Sequence, residues 1–278
     1  MEESNRRNKV NKKIAAVKTF PVPVALEQSK ENIVIFTNQP SKPSKEEIIN
    51  QAFQLHSKGK ISEAARVYQY CIDQGFKNYQ VFANYGVILK SLGKLQEAEL
   101  ATRKAIEIKP DYAEAHSNLG IILRDLGRLK EAELLLKKAI EIKPDFTEAY
   151  YNLSFVELLR GNYKSGLKNY EYRWKKTKPI LHHGNTQIER YEKDKLTEGE
   201  ELLVITEQGL GDTIQYMRYI PYLRNKGIDI SFCAQQKLHT LIKESGIDQN
   251  PLSPERLVDF SKGKFLPLLS LPKYLQIH

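Results

Sequence analysis

A chain that repeats itself every 34 residues can fold in only a few ways, and this sequence does so four times. The segment Ala113–Phe146 reads AEAHSNLGIILRDLGRLKEAELLLKKAIEIKPDF, and the segment before it, Tyr79–Tyr112, closes on the near-identical EAELATRKAIEIKPDY. A weaker copy precedes them at Lys45–Asn78, and another begins at Thr147. Glycine returns in register at Gly59, Gly93, Gly127 and Gly161, and a small residue at Ala64, Ala98, Ala132 and Gly166. Apolar residues at helical spacing predict two helices per unit, with the glycine in the turn between them, where a residue without Cβ takes positive φ. The small residue lets the paired helices approach closely. Pro110 and Pro144 end the second helix, with Lys109 and Lys143 suited to its negative end. Each pair leaves an apolar face that only the next pair covers, so the expected fold is an α-solenoid with a concave surface.

This pattern resembles the tetratricopeptide repeat, with Leu119, Gly120, Ala132, Ala139 and Pro144 in the family's places. The resemblance spans residues 45–173 as four units: 45–78, 79–112, 113–146 and 147–173. Phe76 stands where the first unit lacks its proline, and the last unit loses register after Tyr170, as terminal repeats do.

One polar position recurs in every unit: the sixth place holds Asn50, Asn84, Asn118 and Asn152. Helix propensity does not favour asparagine. On the first helix this place is expected to face the inner surface, where an amide pairs with both groups of a peptide backbone whatever its side chains. Bonding to a neighbouring helix is the structural alternative. The row resembles the asparagine ladder in the repeat arm of O-linked N-acetylglucosamine transferases, which implies binding of an extended protein or peptide segment. His116 and Cys71 read as packing residues.

No apolar run is long enough for a membrane-spanning helix, and Lys18, Pro21 and Pro23 make the patch at 14–26 too broken for a signal-peptide core. Cys71 and Cys233 are too few for a disulfide framework or a zinc site, so a cytoplasmic protein without a metal is the expectation. The net charge of +9 is concentrated in two places. Residues 1–44 carry eight Lys/Arg against four Asp/Glu and read as a basic, flexible tail. Residues 160–180 carry seven basic residues against Glu171 alone. This placement is unlike a nucleic-acid-binding face on a recognisable module, so nucleic acid is not the expected partner.

That second segment includes Asn169-Tyr-Glu-Tyr-Arg-Trp174, with the sole tryptophan. Interleaved arginine and aromatics either close a solenoid end against the next domain or stack on bases or sugars. Residues 174–200, with Pro179, Gly184 and Gly199, read as a surface linker. His182 and His183 within it lack acidic or cysteine partners at ligand spacing.

From Glu201 the pattern changes. Leu202–Thr206 predicts a buried parallel strand, followed by the glycine turn EQGLGD at 207–212. A helix over Thr213–Lys226, kinked by Pro221, a strand at Ile228–Cys233 and a helix over Gln235–Ser245 complete a Rossmann-like arrangement. The turn lacks the third glycine of a dinucleotide fingerprint and the acidic residue after the second strand. Its Gly209 and Gly211 instead permit close backbone approach of a substrate at a helix start. Residues 201–247, and the run Asp259 to Pro272, resemble bacterial tetratricopeptide proteins fused to a heptosyltransferase-like glycosyltransferase. That resemblance implies a GT-B enzyme in which Asp212 serves as general base, with helix N-capping by Asp212 or Thr213 as the local alternative. The 78 residues after position 200 suffice for only part of the first GT-B half, leaving no place for a nucleotide sugar, the donor that a complete enzyme would use. Such a half-domain should have open sheet edges and little core. The sequence therefore predicts a peptide-binding solenoid on residues 45–173, a linker, and a partial Rossmann-like domain at 201–278. It would present a protein to sugar-transfer machinery and bind no cofactor itself. The alternatives are an inverting transferase completed by a donor-domain polypeptide, or a plain scaffold.

Overall fold

The computed structural model describes residues 43–177, 181–207 and 209–275. The basic tail up to residue 42, Lys178, Pro179 and Gln208 lie outside the described residues. Eight helices follow in pairs: α1 (Lys45–Ser57) and α2 (Ile61–Asp73), α3 (Tyr79–Ser91) and α4 (Leu95–Ile108), α5 (Ala113–Asp125) and α6 (Leu129–Ile142), α7 (Thr147–Leu159) and α8 (Tyr163–Tyr170). The in-register glycines sit between paired helices with φ from 72 to 80°. At the first of these turns the Lys60 N–H donates to Leu55 O and the Gly59 N–H to His56 O, satisfying carbonyls that the helix end would otherwise leave unpaired.

The chain divides into two compact units, the boundary falling inside α5 after Asn118. In the first unit, consecutive helices α1 to α4 pack on one another. Their core is Ile48, Ala52, Ala64, Val67, Tyr68, Cys71, Val81 and Ile88. Small residues set the closeness of paired helices from both sides. Ala98 is fully buried, and a Cβ on Gly86 opposite would stand 2.2 Å from Thr102 Oγ1.

The second unit contains α6, α7 and α8 in sequence, and α8 tightens into a 3-10 turn at Glu171–Lys175 where the repeat loses register. Beyond it a parallel sheet of order β2-β1-β3 forms from β1 (Glu201–Ile205), β2 (Asp229–Cys233) and β3 (Lys264–Pro267). Leu203 of the central strand pairs with Ser231 on one side and Phe265 on the other. Residues 202–205 are all buried because both faces are covered. Leu202 and Val204 pack with Met217, Ile220, Leu223, Ile242 and Tyr274; Leu203 and Ile205 pack with Cys233, Leu257 and Ile188. The Rossmann-like expectation is met only as far as this small three-stranded parallel sheet.

Three expectations need correction. The single helix over 213–226 is two: α9 (Leu210–Tyr216) and α10 (Tyr219–Arg224), followed after β2 by α11 (His239–Glu244) and after β3 by α12 (Leu271–Leu275). The break falls one turn before Pro221, because proline has no N–H to offer the Met217 carbonyl four residues back. Ile220 N takes that carbonyl instead, at 3.0 Å in a tighter turn. Nor is the segment after the repeats only a surface linker: Tyr191 is 3% exposed and belongs to the sheet's core. The sheet edges are not open either. Phe265 N donates to Glu189 O and Tyr191 N to Phe265 O along the outer side of β3, while Leu252 N donates to Phe232 O along the outer side of β2.

Candidate functional site

The four asparagines fall in three environments. Asn50 is exposed, while Asn84, Asn118 and Asn152 are half-buried on α3, α5 and α7. Burial pushes the Tyr68 phenol on α2 up to about 12, with the Asn84 amide pulling it back. Among the described residues, the other three amides make no hydrogen bond within the chain. His116 packs as expected: it is 7% exposed and its Nε2 lies 2.8 Å from Pro110 O. Burial lifts the Cys71 thiol from its ordinary value of 9.0 to about 11.

Around Asn152 the surface is aromatic. Tyr151 and Phe155 of α7 meet edge-on at 4.8 Å, and Tyr170 closes on both rings at 5.8 and 6.0 Å. The Lys176 ammonium lies 4.5 Å above Tyr151, and the Tyr150 and Tyr172 rings stack at 4.1 Å with Lys175 over the latter.

The glycine turn follows β1. Gly209 has φ 89°, a conformation other residues rarely adopt, and it occupies the position just before α9. Neither Asp212 nor Thr213 caps this helix, which starts too early for either to stand before it. The carboxylate of Asp212 folds back over the turn, so that a Cβ on Gly209 would lie 2.7 Å from Asp212 Oδ2. Asp212 is otherwise exposed, and a Cβ on Gly211 would meet nothing within 4 Å. Thr213 Oγ1 is 3.0 Å from Gln235 Oε1, and Gln235 Nε2 donates to Glu207 O at 3.3 Å, holding the turn against the end of β2.

A buried ion-pair cluster joins the two motifs that the sequence keeps apart. Arg173, from the aromatic-basic run, is fully buried. Its Nε donates to Glu207 Oε1 at 2.8 Å and its Nη2 to Glu207 Oε2 at 3.2 Å. Nη2 also reaches Ser270 Oγ at 2.8 Å, while Nη1 reaches Glu171 Oε1 at 2.6 Å and Tyr170 O at 3.3 Å. Leu269 N donates to Glu207 Oε2 at 2.9 Å, and Ser270 Oγ donates to Glu171. Arg190 Nη2 completes the charge balance on Glu171 at 2.5 Å. The guanidinium also lies 4.4 Å from the Tyr170 ring and 5.0 Å from Trp174. Burial holds the Tyr170 phenol well above its usual pKa, the Arg173 charge working against this. The run at 169–174 therefore closes the repeats against the following α/β segment rather than standing open for bases or sugars.

His182 Nδ1 is 2.6 Å from Gly184 O and His183 Nδ1 is 3.2 Å from Thr206 O, and no group of three potential metal ligands occurs among the described residues. A groove of about 890 Å3 opens beside Glu189–Lys193, Glu200, Glu201 and Lys264, at the amino ends of β1 and β3. Parallel sheets hold ligands at the opposite, carboxyl ends. The charges in this groove also pair with one another, Lys193 with Glu200 and Lys264 with Glu189. It offers less chemistry than the glycine turn.

A tetratricopeptide repeat family profile matches residues 89–154. No curated protein matches the chain. Among solved structures it is similar to the MamA protein, at 20% identity over 48% of this chain and 72% of that one, with a TM-score of 0.43. It is similar to YrrB, described as a repeat protein with an unusual peptide-binding site, at 20% identity over 48% and 68%, with a TM-score of 0.42. The second repeat domain of human RPAP3, in complex with an HSP70 peptide, gives 24% identity over 40% and 92%, with a TM-score of 0.38.

Proposed function

We propose that the repeats bind an extended protein segment and that the α/β segment fastened to their end descends from a glycosyltransferase half, so that the chain presents a bound protein to sugar-transfer machinery. The observation that carries the binding role is the state of the Asn152 amide: it is half-buried on the first helix of its repeat, has no hydrogen-bond partner among the described residues and is not cut off from the surface. Such an amide is met by water until a bound segment takes the water's place. A peptide backbone supplies both the donor and the acceptor that it needs. Beside Asn152, Tyr151 and Phe155 add apolar surface for the side chains of such a segment.

The test begins with peptides selected on the full-length chain from a random library. Changing Asn152 to Ala is expected to weaken the selected peptides about tenfold, the loss of roughly one good hydrogen bond, with the melting temperature unchanged. Asn84→Ala is expected to lower the melting temperature instead, because its amide supports Tyr68. Unchanged affinity in Asn152→Ala would reject peptide binding through this amide.

A second reading keeps a catalytic role. The exposed Asp212 carboxylate over the open Gly209–Gly211 turn has the access that a general base needs. In that reading a separate polypeptide brings the nucleotide-sugar donor site. Calorimetry of the chain alone with a nucleotide-sugar panel is expected to show no heat of binding, and transfer appears only when the donor half is added. Transfer persisting in Asp212→Asn would remove the residue from that role.

A further inference from the structure

The strand order β2-β1-β3 reverses direction at β1: the chain leaves β1 for one neighbour and returns past it to the other. The gap between the carboxyl ends of β1 and β3 is then a topological switch point, the place where open parallel sheets admit ligands. Glu207 stands two residues beyond β1, and Leu269 and Ser270 stand two and three residues beyond β3. Arg173 spans these two strand ends, bonded to Glu207 on one side and Ser270 on the other. A guanidinium has five N–H donors. All five are used: Nε on Glu207, Nη2 on Glu207 and Ser270, Nη1 on Glu171 and on Tyr170 O. The group is fully buried and has no donor left for a phosphate, a carboxylate or a sugar hydroxyl.

We propose that Arg173 is a built-in occupant of this crevice, filling it with a cation from the chain itself, closing it to outside ligands and fixing the last repeat turn to the strand ends. The Glu207 carboxylate is the matching socket, oriented by Leu269 N. The crevice therefore recognises a planar, forked cation rather than an anion. Further along the same turn, Gly211 and Asp212 remain exposed.

Removing the plug and offering a substitute tests this on the full chain. Arg173→Ala is expected to melt lower by on the order of 10 °C, because Glu207 is left buried and unpaired. Millimolar methylguanidinium is expected to recover part of that loss, ethylammonium at equal ionic strength none, and neither to raise the melting temperature of the parent chain. Hydrogen exchange at residues 202–205 and 209–213 should quicken in the variant and slow again with methylguanidinium, while α6 stays unchanged. Equal melting of variant and parent, or equal responses to the two cations, overturns the proposal. Should Arg173→Ala give no soluble protein, the double variant Arg173→Met, Glu207→Gln keeps the volume and an acceptor for Leu269 N. It is expected to fold, to melt within a few degrees of the parent and to ignore methylguanidinium. Failure of this variant as well would show that the crevice needs the ion pair rather than an occupant, and would equally sink the proposal.

Discussion

At the scale of single residues, the least legible feature is the charge that the molecule hides. Arg173 sits in a run of seven basic residues, and in sequence nothing separates it from the exposed Lys164, Lys168 and Lys175 around it. Its partner Glu207 reads only as the first letter of a glycine turn. Burying the two together is costly unless every hydrogen bond is made, and the bonds come from three separate stretches of chain, so no local pattern announces them. The sequence-level reading of the thiols was simpler, because a cysteine on an apolar helix face has one obvious place. Burial, with the Glu255 charge second, raises Cys233 to about 12, and burial raises Cys71 to about 11. These acids hold their protons more tightly folded than unfolded. The stability they carry is therefore complete below their ordinary value of 9.0 and is lost as pH climbs toward 12; Tyr68 and Tyr85, both lifted to about 12, act in the same direction from 10.0 upward. Thermal melts across alkaline pH should show the midpoint falling from about pH 9 onward, steepening above 10. Iodoacetamide in mildly alkaline buffer should label neither thiol until the protein unfolds. Rapid labelling of the native chain would mean that these side chains are not buried as described.

At the scale of elements, the repeats were readable because all their determinants are local. Period, turn glycine, terminating proline and small packing residue lie within one 34-residue span, and α1 to α7 each begin within two residues of where those markers put them. The α/β segment was harder. β3 is four residues long and begins with an exposed Lys264, too short for its alternation to register. The break before α10 follows from a carbonyl that Pro221 leaves unserved, an effect displaced four residues from its cause. Close helix pairing can be tested at Gly120 of α5. A Cβ there would come within 2.7 Å of Leu136 Cγ and 3.2 Å of Ala132 O, both on α6. Gly120→Val should cost about 2 kcal/mol through overpacking, outweighing what the helix gains by losing a glycine, and denaturant titration would read it. A control at Lys130, exposed on α6, should stay within about 0.5 kcal/mol when changed to Ala. Equal stability of the two variants would remove close approach as the reason for the glycine.

At the scale of the whole molecule, a short parallel sheet has the problem that both its edges invite pairing with another chain. Here the answer lies in two stretches that the sequence presents as loops. Residues 189–191 lie along β3, and Leu252 lies beside β2. Tyr191 fixes the first of these covers. Its ring is buried against Tyr274 at 5.6 Å, its backbone N–H serves Phe265 O, and its hydroxyl donates to Glu200 at 2.7 Å. The phenol's pKa is raised by burial first and by Glu200 second, so the group remains a proton donor throughout the neutral range. Removing the ring should both open a cavity and free the strip from β3. Tyr191→Ala is expected to lose about 3 to 5 kcal/mol, as large-to-small aromatic changes in cores do, and to self-associate as the edge of β3 becomes available. Tyr191→Phe keeps the ring and the strip and loses only the hydroxyl's bonds, at about 1 kcal/mol, so it should remain as monodisperse as the parent. Light scattering at matched fractions of folded protein separates the two effects: an Ala variant that is less stable yet scatters no more than the Phe variant would mean that this strip does not guard the edge, and that the short sheet is protected by its helices alone.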